Sequence, residues 1–159
     1  MNKVLDRETL QSVVENLHRQ GKKVVFTNGC FDILHVGHVR YLHQAGKLGD
    51  VLVVGLNTDA SVRNLKGDKR PLIPQDERVD VLAALEAVHY VTLFDEPTPL
   101  ALITALRPDI LVKGGDWKKE EVVGRDEVRS WGGKVVIIPE IEGASTTHIV
   151  EKIRSLYLK

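Results

Sequence analysis

Two histidines, His35 and His38, stand three residues apart on either side of Gly37. They follow an Asn28-Gly29 turn and a short apolar run, and they open a segment that reads as a helix. A glycine in the first turn of a helix lets a ligand come close to the backbone, and the exposed N–H groups there attract an anion. Imidazoles flanking that spot can donate hydrogen bonds to phosphate oxygens and stabilise the charge that grows as a P–O bond breaks. Two other readings compete. Histidines are commonly buried and satisfied by backbone carbonyls, and this pair could join Cys30 or His43 as zinc ligands. His43 sits more than a helical turn further on, however, and no C-x-x-C or H-E-x-x-H accompanies the pair.

The elements around the motif follow from periodicity. Asp6 caps a helix over 7–19, with Leu10, Val13, Val14 and Leu17 at helical spacing, and Gly21 ends it. "KKVVFT" reads as a buried strand, followed by a helix over 37–47 and a second buried strand over 50–57. A helix over 75–88, a strand over 90–94 and a helix stopped by Pro108 come next. The strand "ILVK", a short helix near 124–131, the strand "KVVIIP" and a C-terminal helix opening at "STTHIVEKI" complete the chain. Apolar strands alternating with helices imply an α/β, doubly wound, mostly parallel five-stranded sheet of Rossmann-like type. Residues 1–21 are expected to pack as an N-terminal helix on a single domain formed by 22–159. In such a sheet ligands bind beyond the carboxyl ends of the strands. The segments 28–38, 57–66, 95–98, 113–117 and 140–147 therefore share a cleft.

Composition narrows the partners. The 159 residues carry 22 basic and 22 acidic side chains, and a neutral chain argues against nucleic acid as partner. No apolar run approaches membrane-spanning length and no signal-peptide pattern opens the chain, so a cytoplasmic protein without membrane attachment is expected. Cys30 is the only cysteine, which excludes an intramolecular disulfide. Neither G-x-x-x-x-G-K-S/T nor a G-x-G-x-x-G after the first strand is present.

With "TNGCFDILHVGH" on the page, the chain resembles the H-x-G-H nucleotidyltransferases, which include cytidylyltransferases and pantetheine-phosphate adenylyltransferases. The likeness continues through "LNTDASVRNLKGDKRPLIPQDERVDVLAALEAV", "DILVKGGDW" and "EGASTTHIVEKI". Over about 24–153 it is similar to the D-glycero-β-D-manno-heptose 1-phosphate adenylyltransferases, here without a sugar-kinase half. The resemblance implies transfer of AMP from ATP to a heptose 1-phosphate, giving an ADP-heptose and pyrophosphate. It also implies Mg²⁺ held mainly by the triphosphate with no protein metal site, and a homodimer. His35, His38 and Lys66 are then catalytic. Thr27, Asn28, Gly29, Cys30, Phe31, Gly37, Arg63, Ser145, Thr146 and Thr147 contact the nucleotide. Asn57, Asp59, Lys113, Gly115, Asp116 and Trp117 contact the acceptor. Arg70 assists with phosphate, Arg78 pairs with a carboxylate to hold the fold, and Asp32 fastens the turn.

Each cluster also has a plainer reading. "SVRNLKGDKRP" is a solvated basic loop, Trp117 a packed indole in a surface turn, and Ser145 a helix cap. Two departures from family patterns matter. Ala144 replaces the isoleucine of an I-S-T-T element, and Glu140-Ile141 stands where glycerol-3-phosphate cytidylyltransferases carry Arg-Thr. The second departure weighs against CTP. A cytidylyltransferase acting on a small polyol phosphate and a nucleotide-binding regulator without turnover remain the alternatives.

Overall fold

The computed structural model describes residues 2–115 and 117–158, so the expectation for Asp116 lies outside the described residues. Five parallel strands form one sheet in the order β3-β2-β1-β4-β5: Val24–Gly29 (β1), Val51–Asn57 (β2), Tyr90–Phe94 (β3), Ile110–Gly114 (β4) and Lys134–Ile138 (β5). The doubly wound reading holds, and every strand pair is parallel. The chain winds outward from β1 through β2 to β3, then crosses to β4 on the other side. Loops leaving β1 and β4 therefore diverge, and the crevice opens between them.

Alternation along each strand sorts the core into two layers. Val24 and Phe26 of β1 pack with Leu10 and Val14 of α1 (Arg7–Arg19) and with Leu102, Ile103 and Leu106 of α5 (Leu100–Leu106). Val25 of β1 and Leu52, Val54 and Leu56 of β2 pack on the other face. Their partners there are Leu42 and Ala45 of α2 (Val36–Gly46) and Val79 and Leu82 of α4 (Gln75–Ala83). Asp6 caps α1 by accepting from the Thr9 N–H at 2.8 Å. Ahead of it, Lys3 and Leu5 hydrogen-bond to Val91, so the N-terminal arm covers the β3 edge of the sheet. The last two helices are α6 (Arg125–Ser130) and α7 (Thr146–Tyr157). Among the described residues no helix is long and apolar enough to cross a membrane.

Two expectations change. Residues read as a basic loop after β2 form a helix, α3 (Asp59–Lys66), because Thr58 caps it by accepting from the Ser61 N–H at 3.2 Å. Helix α4 stops at Ala83, short of Val88. Its end tightens into Leu85-to-Leu82 and Val88-to-Leu85 turns, which deliver the His89 N–H to the Leu52 carbonyl at the start of β3.

Candidate functional site

Strand β1 ends in Asn28-Gly29, and the chain then doubles back sharply. Phe31 takes a left-handed φ of +44°, and a Cβ on Gly29 would lie 2.9 Å from the Phe31 ring. The turn is pinned from outside. Asp32, buried, accepts from the N–H groups of Leu72 and Ile73 at 2.9 Å and from Arg70 Nε at 2.6 Å. Burial works against its ionised form, but those two amides and the Arg70 guanidinium outweigh it and hold the carboxyl below its ordinary value. Fastening the turn is thus what Asp32 does.

Arg78 holds the same region from beneath. Its side chain is fully buried and donates to the carbonyls of Ile73, Cys30 and Asn57 and to the Asp59 carboxylate, at 2.9, 2.6, 2.9 and 2.8 Å. One guanidinium therefore ties the ends of β1 and β2 to the start of α3. The expected pairing of Arg78 with a carboxylate is present.

Beyond the turn comes the histidine pair. His35 is the N-cap of α2, and its Nδ1 accepts the Gly37 N–H at 3.1 Å, which leaves the proton of the neutral ring on Nε2. Packing alone requires a glycine at position 37. A Cβ would fall 2.8 Å from the His35 ring and 3.1 Å from the Ala144 side chain, so only glycine lets the imidazole fold back over the helix start. His38 stacks on His35 with ring centroids 3.8 Å apart and meets the Phe31 ring at 5.2 Å, tilted by 58°. Burial, then the charges of His35 and Lys66, push His38 down from 6.5 to about 4, against a smaller opposing effect of the Ile33 carbonyl. Burial lowers His35 too. Both rings are neutral at pH 7. Each neutral ring keeps one N–H donor and carries no positive charge.

A cleft of about 730 Å³ lies over this turn. It brings together His35, Gly37, His38, Lys66, Asn28, Gly29, Cys30, Phe31, Asn57, Lys113, Trp117, Ser145, Thr146 and Thr147. Ser145 caps α7 by accepting from the His148 N–H at 3.0 Å, and the Thr146 hydroxyl donates to the Ile33 carbonyl at 3.4 Å. These bonds bring the start of α7 against the start of α2.

Four expected contacts lie off the cleft. Thr27 is fully buried and its hydroxyl meets Tyr41 Oη at 2.6 Å. Asp59 faces Arg78. Arg63 lies exposed on α3, outside the lining. Gly115 takes a left-handed φ of +93° in the turn after β4, beside the Glu140 side chain. The lining residues Tyr41, Gln44 and Pro99 fall outside the segments expected to share the cleft, whereas Pro97, Glu140 and Ile141 fall within them. Tyr41 and Gln44 follow His38 at three-residue steps on one helix, a spacing that would have found them. Tyr41 also donates to the Val112 carbonyl at 3.4 Å, and burial pushes its phenol up to about 12 despite the Thr27 hydrogen bond, so it stays protonated. No group of three or more metal-ligating side chains occurs among the described residues.

Comparison with known proteins bears on the family and the fold. A family model described as cytidylyltransferase-like matches residues 26–155. The bifunctional protein HldE of Syntrophotalea carbinolica is 59% identical over 156 residues, covering 98% of this chain and 32% of that protein. HldE of Trichlorobacter lovleyi is 57% identical with the same coverage. The chain thus spans about a third of the length of the curated relatives it matches. A crystal structure of the lipopolysaccharide core biosynthesis protein from Thermoplasma volcanium superposes with a TM-score of 0.63 at 32% identity, covering 76% of this chain and 98% of that one. The pantoate-beta-alanine ligase of Francisella tularensis, at 14% identity and a TM-score of 0.58, shares the fold.

Proposed function

Because this chain belongs to the cytidylyltransferase-like family, we propose that its cleft transfers AMP from ATP to a heptose 1-phosphate, releasing pyrophosphate. The observation that supports this most is the His35-Gly37-His38 set. Two neutral, stacked imidazoles stand at a helix N-terminus inside a cleft large enough for a nucleotide and a sugar. A regulator that only bound nucleotide would have no use for donors whose value lies in the transition state.

In this reading an acceptor phosphate oxygen attacks the α-phosphorus in line, and pyrophosphate leaves with the electron pair of the broken P–O bond. His35 and His38 donate to oxygens on which charge accumulates, Lys66 meets the phosphates from α3, and Thr146 and Thr147 hold the nucleotide from α7. Gly29, Cys30 and Phe31 meet it through the turn after β1. The groups that face the cleft, His35, His38 and Lys66, suit phosphate oxygens, so in this reading a metal would arrive with the triphosphate. Mg²⁺ bound to those oxygens would neutralise part of their charge. The sugar rests on the sequence resemblance and on identity to HldE over nearly the whole chain, and the homodimer on the resemblance alone.

The family's name favours one competitor, CTP with a polyol phosphate. Against it stands Glu140, a carboxylate on the cleft wall where those enzymes carry a cation. Pyrophosphate release with Mg²⁺, crossing ATP and CTP against heptose 1-phosphate and glycerol 3-phosphate, separates them. ATP with the heptose should give ADP-heptose by mass. Product from CTP and glycerol 3-phosphate alone would replace this reading.

A further inference from the structure

Strands β1 and β4 are neighbours in the sheet, yet they pair over only part of their length. Pairing runs through Val25–Ile110 and Phe26–Leu111 and stops there, although β1 continues to Gly29 and β4 to Gly114. Each strand keeps its outer neighbour to the end. Thr27, Asn28 and Gly29 stay paired with β2, and Val112, Lys113 and Gly114 stay paired with β5. The sheet is therefore split at its carboxyl end. Asn28 and Gly29 form one lip of the cleft, Lys113 and Gly114 the other. Backbone pairing does not set how far apart the lips stand.

One side chain spans the split. Tyr41 follows His38 by one turn of α2, and it lines the cleft while Thr27 and Val112 lie behind the wall. Its Oη is 2.6 Å from Thr27 Oγ1 on the β1 side and 3.4 Å from the Val112 carbonyl oxygen on the β4 side. A carbonyl can only accept, so the phenol proton goes to Val112 and the Thr27 hydroxyl donates to Oη. The ring itself lies against the second lip, because a Cβ on Gly114 would fall 3.1 Å from Tyr41 Cε2. Phenylalanine would fill the same space. What the hydroxyl adds is a bridge from β1 to β4, anchored in the helix that carries both histidines. Burial pushes the phenol up to about 12, so its proton stays in place well above neutral pH.

We propose that Tyr41 is a positioning residue for the transfer, its hydroxyl fixing the separation of the two lips and with it the placement of His35 and His38 against groups held on the β4 side. This rests on the adenylyltransferase reading. Tyr41 itself makes no bond to a reacting atom in this account. In-line displacement needs attacking oxygen, phosphorus and leaving oxygen nearly collinear, and a displacement of about 1 Å can cost about 10²-fold in rate. The groups that meet the two ends of that line come from opposite sides of the split. A bridge across it therefore governs the rate more than it governs ground-state binding.

Steady-state kinetics on the full chain tests this, with pyrophosphate release from ATP and heptose 1-phosphate in Mg²⁺ as the readout. Wild type, Tyr41→Phe, Thr27→Val and the double variant are compared, with circular dichroism confirming that each is folded at the assay temperature. In Tyr41→Phe kcat should fall about tenfold or more while KM for both substrates stays within about twofold. Thr27→Val should show a smaller loss in kcat, and the double variant should be no worse than Tyr41→Phe, because both substitutions remove the same hydrogen bond. A normal kcat in folded Tyr41→Phe, or a change confined to KM, overturns the proposal. So does a double variant whose loss is the product of the two single losses. Should Tyr41→Phe fail to fold, Thr27→Val decides alone, and a normal kcat there overturns the proposal. In each of these cases an active wild type leaves the adenylyltransferase reading standing. A wild type that does not turn over ATP and heptose 1-phosphate overturns both.

Discussion

Arg78 and Lys113 are both drawn largely out of water beside the same cleft, yet their surroundings are opposite. Arg78 is saturated: three carbonyls and a carboxylate surround its guanidinium. Lys113 has an indole nearby and no ion-pair partner among the described residues. The contrast extends to neighbours. Asp32 and Arg70 satisfy each other, whereas His35, His38 and Lys66 face the cleft with donors to spare. Cations with full sets of partners hold the loops in place, and groups left short of partners are what a phosphate ligand would complete. A charged residue's role is read here from its hydrogen bonds, not from its charge.

The comparison breaks most visibly at Arg78. Arg78→Met would strand the carbonyls of Cys30 and Asn57 and leave Asp59 without its cation. A loss of about 3–5 kcal/mol in unfolding free energy is expected by urea denaturation. A change under 1 kcal/mol (roughly the scale of a surface pair) would show that the network is not structural. A smaller effect is expected on the open side, from pH. His38 is depressed from 6.5 to about 4, so the unfolded chain takes up a proton in that window that the native protein refuses. Stability contributed by the neutral ring is present above 6.5 and is lost as pH falls toward 4. The His38 ring resonance, followed by NMR, should titrate with a midpoint near 4. An ordinary midpoint near 6.5 would place the ring in water and remove the argument for a neutral donor.

Much of this was legible in the residues. Strands such as "VLVVGLN" announce burial on both faces, and the carboxyl-end rule placed the cleft before any coordinates. His35, Gly37 and His38 could be read locally, because cap, glycine and second histidine lie within one turn of backbone. Asp32 was legible for the same reason in part, since a carboxylate in a tight turn commonly fastens it. What escaped depends on contacts distant in sequence or on a missed element. Thr27 read as a cleft residue, but its side chain points inward to Tyr41, and only the packing of α2 on β1 reveals that. Arg63 belongs to the stretch that reads as a basic loop, in which any side chain could turn toward a ligand, and the resemblance gives Asp59 to the acceptor. The Thr58 cap makes that segment a helix, which commits Asp59 to Arg78 and leaves Arg63 exposed. The signal was present in Thr58 itself. Lys113, by contrast, meets Cys30 only because β4 crosses back beside β1, and no local pattern shows that.

The most direct test of the division between the saturated set and the open set is His38→Ala, measured twice on one preparation. The rate of pyrophosphate release from ATP and heptose 1-phosphate should fall by about 10²–10³, corresponding to roughly 2.7–4 kcal/mol in the barrier. The urea midpoint should fall only modestly, through the lost packing on His35 and Phe31, and the variant should stay folded under the assay conditions. A near-normal rate, or a rate loss matched by unfolding, would contradict the assignment of the histidine pair to chemistry.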